Sequence, residues 1–118
     1  MKVSFDGINN SIVTFLAPNK INIGDLVSLS DNNSIKKSSS DESFLGVCVS
    51  YQNGLAGVQI SGFASIKMKS ISNLNFGRNY FVSDDDSSLK LSTTKNEAAI
   101  PLNVISIDKE NSLITVIL

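Results

Sequence analysis

The densest group of chemically capable side chains in this sequence is Asp84-Asp85-Asp86, three carboxylates in a row. Oxygen ligands gathered in a turn are what a hard cation such as Ca²⁺ takes, which makes these three residues a candidate metal site. The spacing falls short of a calcium-binding loop, however, with neither a glycine at mid-loop nor a glutamate at the closing position. A solvated turn is the plainer reading. The acidic stretches Asp31-Asn32-Asn33 and Asp41-Glu42 read as a turn and a surface loop. Cys48, the single cysteine, lies in the apolar run Leu45-Gly46-Val47-Cys48-Val49, where a buried, inert thiol is expected. Gly54-Leu55-Ala56-Gly57 lacks the Gly-Lys-Ser/Thr ending and the following helix of a phosphate loop, so hairpin geometry accounts for its glycines.

The residues that are missing narrow the chemistry further. With no histidine among 118 residues, the commonest general base, the commonest metal ligand and any His-based triad are excluded. A lone cysteine excludes intrachain disulfides, thiolate zinc sites and paired redox motifs. A Ser/Lys or carboxylate mechanism stays formally open, but no residues have the spacing of a catalytic constellation. The expectation is a non-enzymatic protein with no cofactor. Ten Lys plus Arg against eleven Asp plus Glu leave a net charge of −1, which offers no long-range field for nucleic acid. No stretch is long and apolar enough for a signal peptide or a membrane span. A cytoplasmic product without a nucleic-acid or membrane partner is expected.

Period-two alternation dominates the chain, and helical periodicity is hard to find. Val3 and Phe5, then Gly7 to Asn10, then Ile12 to Phe15 read as an N-terminal hairpin within 1–17. Pro18-Asn19-Lys20 breaks the chain. Strands follow at Leu26 to Ser30, at Ser34 to Lys36, and, after the polar loop Ser38 to Ser43, at Phe44 to Tyr51. Asn53-Gly54 is the strongest short hairpin signal and returns the chain through Leu55 to Ser61. Gly62 marks a bulge before the strand Ala64 to Lys69. Tyr80 to Ser83, Ser88 to Leu91, Leu102 to Ile107 and Leu113 to Leu118 complete the set. About ten short strands with little or no helix predict one all-β domain over residues 1–118, a small β-barrel or β-clip.

The chain also repeats itself. Ile21-Asn22-Ile23-Gly24-Asp25-Leu26-Val27-Ser28-Leu29-Ser30-Asp31 corresponds to Leu74-Asn75-Phe76-Gly77-Arg78-Asn79-Tyr80-Phe81-Val82-Ser83-Asp84. Gly46-Val47-Cys48-Val49 corresponds to Pro101-Leu102-Asn103-Val104, and Val58-Gln59-Ile60 to Ile114-Thr115-Val116. Two related β units are therefore expected, residues 21–62 and 74–118. Gly24 and Gly77 take a tight bend before a strand in each. Asp25 and Arg78 occupy matching places and are a candidate ion pair.

Ile23-Gly24-Asp25-Leu26-Val27 with Ser30-Asp31, Phe44-Leu45-Gly46-Val47 and Gly57 to Gly62 resemble a family of tailed-phage and prophage capsid decoration, or head-stabilising, proteins. The resemblance covers residues 21–118. It implies a compact β-barrel or β-clip that binds the outer capsid lattice of major capsid protein, as a homo-oligomer and often a trimer, with no catalytic residues. It places the protein in the cytoplasm during assembly and on the virion surface thereafter. Relatives often carry a flexible N-terminal arm, whereas residues 1–15 here read as a hairpin. The residues themselves point the same way: Ser and Asn exceed a quarter of the chain, which suits ordered packing through neutral hydrogen bonds. The alternative is a small ligand-binding β-barrel module for carbohydrate or peptide. A carboxylate enzyme acting around Asp84 to Asp86 is a third reading.

Overall fold

A computed structural model describes residues 11–71, 74–92 and 98–118. About ten strands were expected, and ten are present among the described residues: β1 (Ile12–Leu16), β2 (Leu26–Asp31), β3 (Ser34–Lys37), β4 (Gly46–Gln52), β5 (Leu55–Gln59), β6 (Phe63–Lys67), β7 (Gly77–Ser83), β8 (Leu89–Leu91), β9 (Ile100–Asp108) and β10 (Leu113–Ile117). No helix occurs among the described residues. The chain folds as a small all-β protein. The turn residues act as their chemistry dictates: Asn53 and Gly54 connect β4 to β5 at φ 51° and 77°, the left-handed pair of a two-residue hairpin.

β1 to β5 form a closed barrel in the order β1-β3-β2-β4-β5, and β6 to β10 form a five-stranded sheet in the order β6-β10-β9-β7-β8. Reading the second sheet from β8 gives β8-β7-β9-β10-β6, the first barrel's order with every label advanced by five. The likeness extends to details. In each unit the leading strand runs antiparallel to the last (β1 to β5, β6 to β10). Each unit closes through one parallel bridge, Leu16 to Ser34 in the first and Met68 to Leu89 in the second. Each also carries a bulge on its fourth strand, where Val49 and Ile105 lack partners across the hairpin.

The repeat is thus visible in topology, with two adjustments to its boundaries. The unit division falls between β5 and β6, so Phe63–Lys67 opens the second unit and Ile12–Leu16 belongs to the first. The β9–β10 turn is two residues longer than Asn53-Gly54. Cys48 opposite Val58 matches Val104 opposite Val116, which shifts the fourth strand's correspondence by one residue and the last strand's by two from the sequence alignment. For the expected N-terminal hairpin, residues 1–10 lie outside the described residues; Ile12–Leu16 pairs with β5 and, at Leu16, with β3.

Alternation assigns neighbouring side chains to different cores. Val27, Ile35, Cys48, Ala56 and Val58 fill the first barrel with Ala17 and Ile21. Their neighbours Leu26 and Val47 point the other way and, with Phe44, join Ile66, Met68, Phe81, Leu102, Val104, Ile114 and Val116 in the second core. Both faces of the β2–β4 pair are consequently buried. Each of those three donated side chains contributes about 1.5–3 kcal/mol by leaving water. The parallel closure of the second unit is where the first is inserted. In the first barrel Leu16 N–H donates to Asn33 O (2.8 Å); in the second, Ser87 O receives Leu26 N–H of the first unit instead (2.8 Å).

The segment Ser38 to Ser43, expected to be an exposed loop, is partly a clasp between the units. Asp41 N–H donates to Ser83 O (2.8 Å) and Ser83 N–H to Glu42 O (3.0 Å). Ser38 is buried; its hydroxyl bonds to that of Ser28 (2.6 Å), and its carbonyl accepts from Ser87 Oγ (3.0 Å). The hydroxyls of Ser28, Ser38 and Ser87 are satisfied here without a buried charge, while Ser83 Oγ is buried with no partner among the described residues.

Candidate functional site

The acidic triplet lies in the β7–β8 turn. Its three carboxylates come within 4.8 Å of one another, but they already have a counterion. Lys69, just beyond β6, places Nζ 2.6 Å from Asp85 Oδ1, 3.9 Å from Asp84 Oδ1 and 4.0 Å from Asp86 Oδ1. The hydrogen bond to Lys69 holds the Asp85 carboxyl below its ordinary value, and the same contact raises the Lys69 ammonium. Asp84 Oδ1 accepts Asp85 N–H (2.7 Å), and Asp86 accepts both the backbone N–H and the hydroxyl of Ser88. Burial opposes ionisation of Asp86, but the Ser88 bonds and Lys69 lower it on balance. This geometry serves turn formation, and any divalent cation here would have to displace an ammonium. Sequence reading did not pair Lys69 with the triplet: alternation turns it outward, one step beyond the buried Met68, but does not name its partners.

Asp25 and Arg78 do not meet. Asp25 is 2% exposed and binds Lys67 of the second unit at 2.9 Å and Lys37 at 3.4 Å, while accepting Asn22 N–H at 3.1 Å. Arg78 instead lies over the Tyr80 ring, 5.7 Å from its centroid. The cause is the way the units pack. They meet through the outer face of β2 and β4 against the mouth of the second unit, which brings β6 to Asp25 and leaves the Arg78 end of β7 exposed. Asp25 is therefore a charged pin between the units, with its lysine partners reaching into water. Two further ion pairs, Lys36–Glu42 (3.0 Å) and Lys90–Asp41 (2.8 Å), flank the clasp. Burial would raise Glu42, but the Lys36 and Ser28 bonds lower it.

Cys48 is buried as expected, its thiol pushed up by burial and donating to Ser50 O (3.3 Å). Gly24 and Gly77 adopt φ 97° and 87°, which explains glycine at both bends. The residues just before them are the largest exposed apolar features: Ile23 is 72% and Phe76 69% exposed. These occupy matching positions in the two units, and the repeat motif contained them. Beside Phe76 is a groove of about 610 Å³ lined by Leu74, Ile107, Asp108, Lys109 and Glu110. A second concavity, about 380 Å³, lies on the first barrel between Thr14, Ser50, Gln52, Asn53 and Leu55 and contains no charged group.

No helix long and apolar enough to cross a membrane occurs among the described residues. No protein-family model matches the chain, and the comparisons with curated proteins and with solved structures likewise give no match.

Proposed function

We propose that this chain is a non-enzymatic structural protein of the capsid decoration type, which attaches as a homo-oligomer, a trimer by resemblance, to the outer lattice of a phage or prophage shell. One observation supports this reading most: two units of like strand order, a closed barrel and a five-stranded sheet that share a core, each present one large apolar side chain (Ile23, Phe76) beside a left-handed glycine. A feature presented twice on a rigid body fits a partner whose own surface repeats. Weak contacts of this kind add through effective concentration. Binding one state of the lattice shifts the population toward it without chemistry. The product assembles in the cytoplasm and ends on the virion surface in this reading.

Sedimentation with assembled shells tests it. Saturable binding to expanded shells, lost on replacing Ile23 and Phe76 by Ser together, is the expected result. No association with shells at any concentration overturns the reading. The uncharged concavity at Thr14, Ser50, Gln52 and Asn53 favours one alternative, a module that binds a neutral saccharide. Specific retention on a glycan array, abolished by substitutions in that concavity, would select it instead.

A further inference from the structure

We infer that the groove beside Phe76 is a self-association face, in which Phe76 of one copy packs on Leu74 and Ile107 of a second copy about a two-fold axis. This rests on the homo-oligomer of the reading above but not on any capsid partner: it puts a two-fold contact in place of the trimer and leaves Ile23, 72% exposed, as the apolar side chain that faces a lattice. Three independent observations lead to it.

The first is the groove itself. Phe76 projects 69% exposed next to the partly buried Leu74 and Ile107, so an exposed ring adjoins an apolar groove. Exposed aromatic side chains adjoining an apolar depression with a polar rim have the anatomy of an interface core.

The second is a difference between otherwise matched units. The first unit joins its last two strands by Asn53-Gly54 alone, and Ala17 N–H caps that turn at Gly54 O (2.8 Å). The second unit makes the same cap, Met68 N–H to Ser112 O (2.9 Å), yet its turn spans four residues between Asp108 and Leu113. The longer turn supplies Lys109 and Glu110, which with Asp108 wall the groove, so the face lies where the two units differ.

The third is charge. The wall reads Asp108-Lys109-Glu110, a cation between two anions. Asp108 is committed to its own turn, accepting Asn111 N–H (3.2 Å) and Asn111 Nδ2 (2.8 Å). Lys109 and Glu110 are both exposed. Under a two-fold axis passing between them, Lys109 of each copy faces Glu110 of the other. A surface complementary to itself selects a second copy, because a two-fold interface requires the same patch to match its own inverse.

Light scattering and sedimentation velocity, run from micromolar to millimolar chain, test the inference. The wild type is expected to give an even number of 12.7 kDa copies, a dimer at first. Phe76→Ser should raise the dissociation constant by about 30-fold or more, the effect of losing a central aromatic anchor. Lys109→Glu alone, or Glu110→Lys alone, should weaken it by about 3- to 10-fold, and the double variant Lys109→Glu/Glu110→Lys should recover wild-type affinity. Because these side chains are exposed, circular dichroism of all variants should match the wild type. A chain monomeric at millimolar concentration overturns the inference, as does an assembly of any size indifferent to Phe76→Ser, or a charge swap that fails to recover. A trimer insensitive to Phe76 would reject this contact while leaving capsid attachment standing. Two-fold association without shell binding would do the reverse.

Discussion

Leu26 and Val27 are adjacent on β2 but belong to different cores, and this makes them a test of whether the two units fold together. Both are fully buried. Leu26→Ala removes three carbons from the second core and should cost about 3 kcal/mol, the transfer term plus a cavity that the flanking strands only partly close. Val27→Ala removes two carbons from the first core and should cost about 2 kcal/mol. With a urea slope of about 1.5 kcal/mol/M, the midpoint falls by about 2 M for the first and somewhat over 1 M for the second. The chain carries its own reporters: it has no tryptophan, and its two tyrosines, Tyr51 and Tyr80, lie one in each unit. Tyrosine fluorescence of Tyr80→Phe follows the first unit, and that of Tyr51→Phe follows the second. Because Leu26, Phe44 and Val47 complete the second core and three backbone hydrogen bonds join the units, both reporters should give one midpoint. Leu26→Ala and Val27→Ala should each lower that common midpoint with unchanged slope. If Leu26→Ala shifts only the Tyr80 transition, or the wild type already shows two midpoints, the shared-core argument fails.

Glycine substitutions should separate steric from conformational roles. A methyl at Gly46 would press on the Gln59 carbonyl, which is backbone, and lie 3.0 Å from Val58 Cγ1, so Gly46→Ala should cost about 3 kcal/mol or more. Gly24→Ala and Gly77→Ala meet no atom within 4 Å but sit at φ 97° and 87°, so about 1–2 kcal/mol is expected from backbone strain alone. Thermal melts giving the reverse order would refute this assignment. For pH, Glu42, Asp85, Asp86 and Asp108 all ionise more readily folded than free. Their contribution is present above the ordinary carboxylate values and is lost as pH falls through the lowered folded ones. Lys69 and Lys90 are raised by Asp85 and Asp41, and Cys48 by burial, so stability is also lost at the alkaline end, above the ordinary values of these groups. With no histidine to titrate between, the melting temperature should be flat from about pH 5 to about pH 9. A step near neutrality would contradict it.

Local chemistry was readable residue by residue. Asn53-Gly54 and the bends at Gly24 and Gly77 are fixed by which residues tolerate positive φ, and the alternation of β4 and β9 by which face must be buried. Partner choice was less readable. Alternation says that Leu26 and Val27 point opposite ways but not that a second core waits on the far side, because period two specifies faces and not neighbours. Hence Asp25 appeared to match Arg78 in sequence while its actual partners are Lys37 and Lys67, the latter 42 residues away on the strand that opens the next unit. The clasp at Ser38 to Ser43 escaped notice for the same reason. A polar loop and a polar junction have the same composition, and only the burial of Ser38, Ser83 and Ser87 distinguishes them.

The packing of the units also explains why the repeat does not propagate. A unit that docks by its outer β2–β4 face into the mouth of the next would, if every unit carried both surfaces, build an open-ended filament. The docking face of the first unit is apolar, with Leu26 directly opposite Val47. On the second unit the outward pairs nearest its own glycine bend are Arg78 opposite Asn103 and Tyr80 opposite Pro101. Arg78 stacks on Tyr80, and Asn103 and Pro101 are exposed. A guanidinium and an amide at these positions would lose their hydration on docking into another unit, and the mouth left for them, that of the first barrel, is already closed by Leu16 N–H to Asn33 O. The first unit can therefore dock and the second cannot, so chain-to-chain growth by this route is closed. Whatever contact the protein makes with further copies or with a lattice must use other surfaces, and the apolar ones left exposed at matching sites are Ile23 and Phe76.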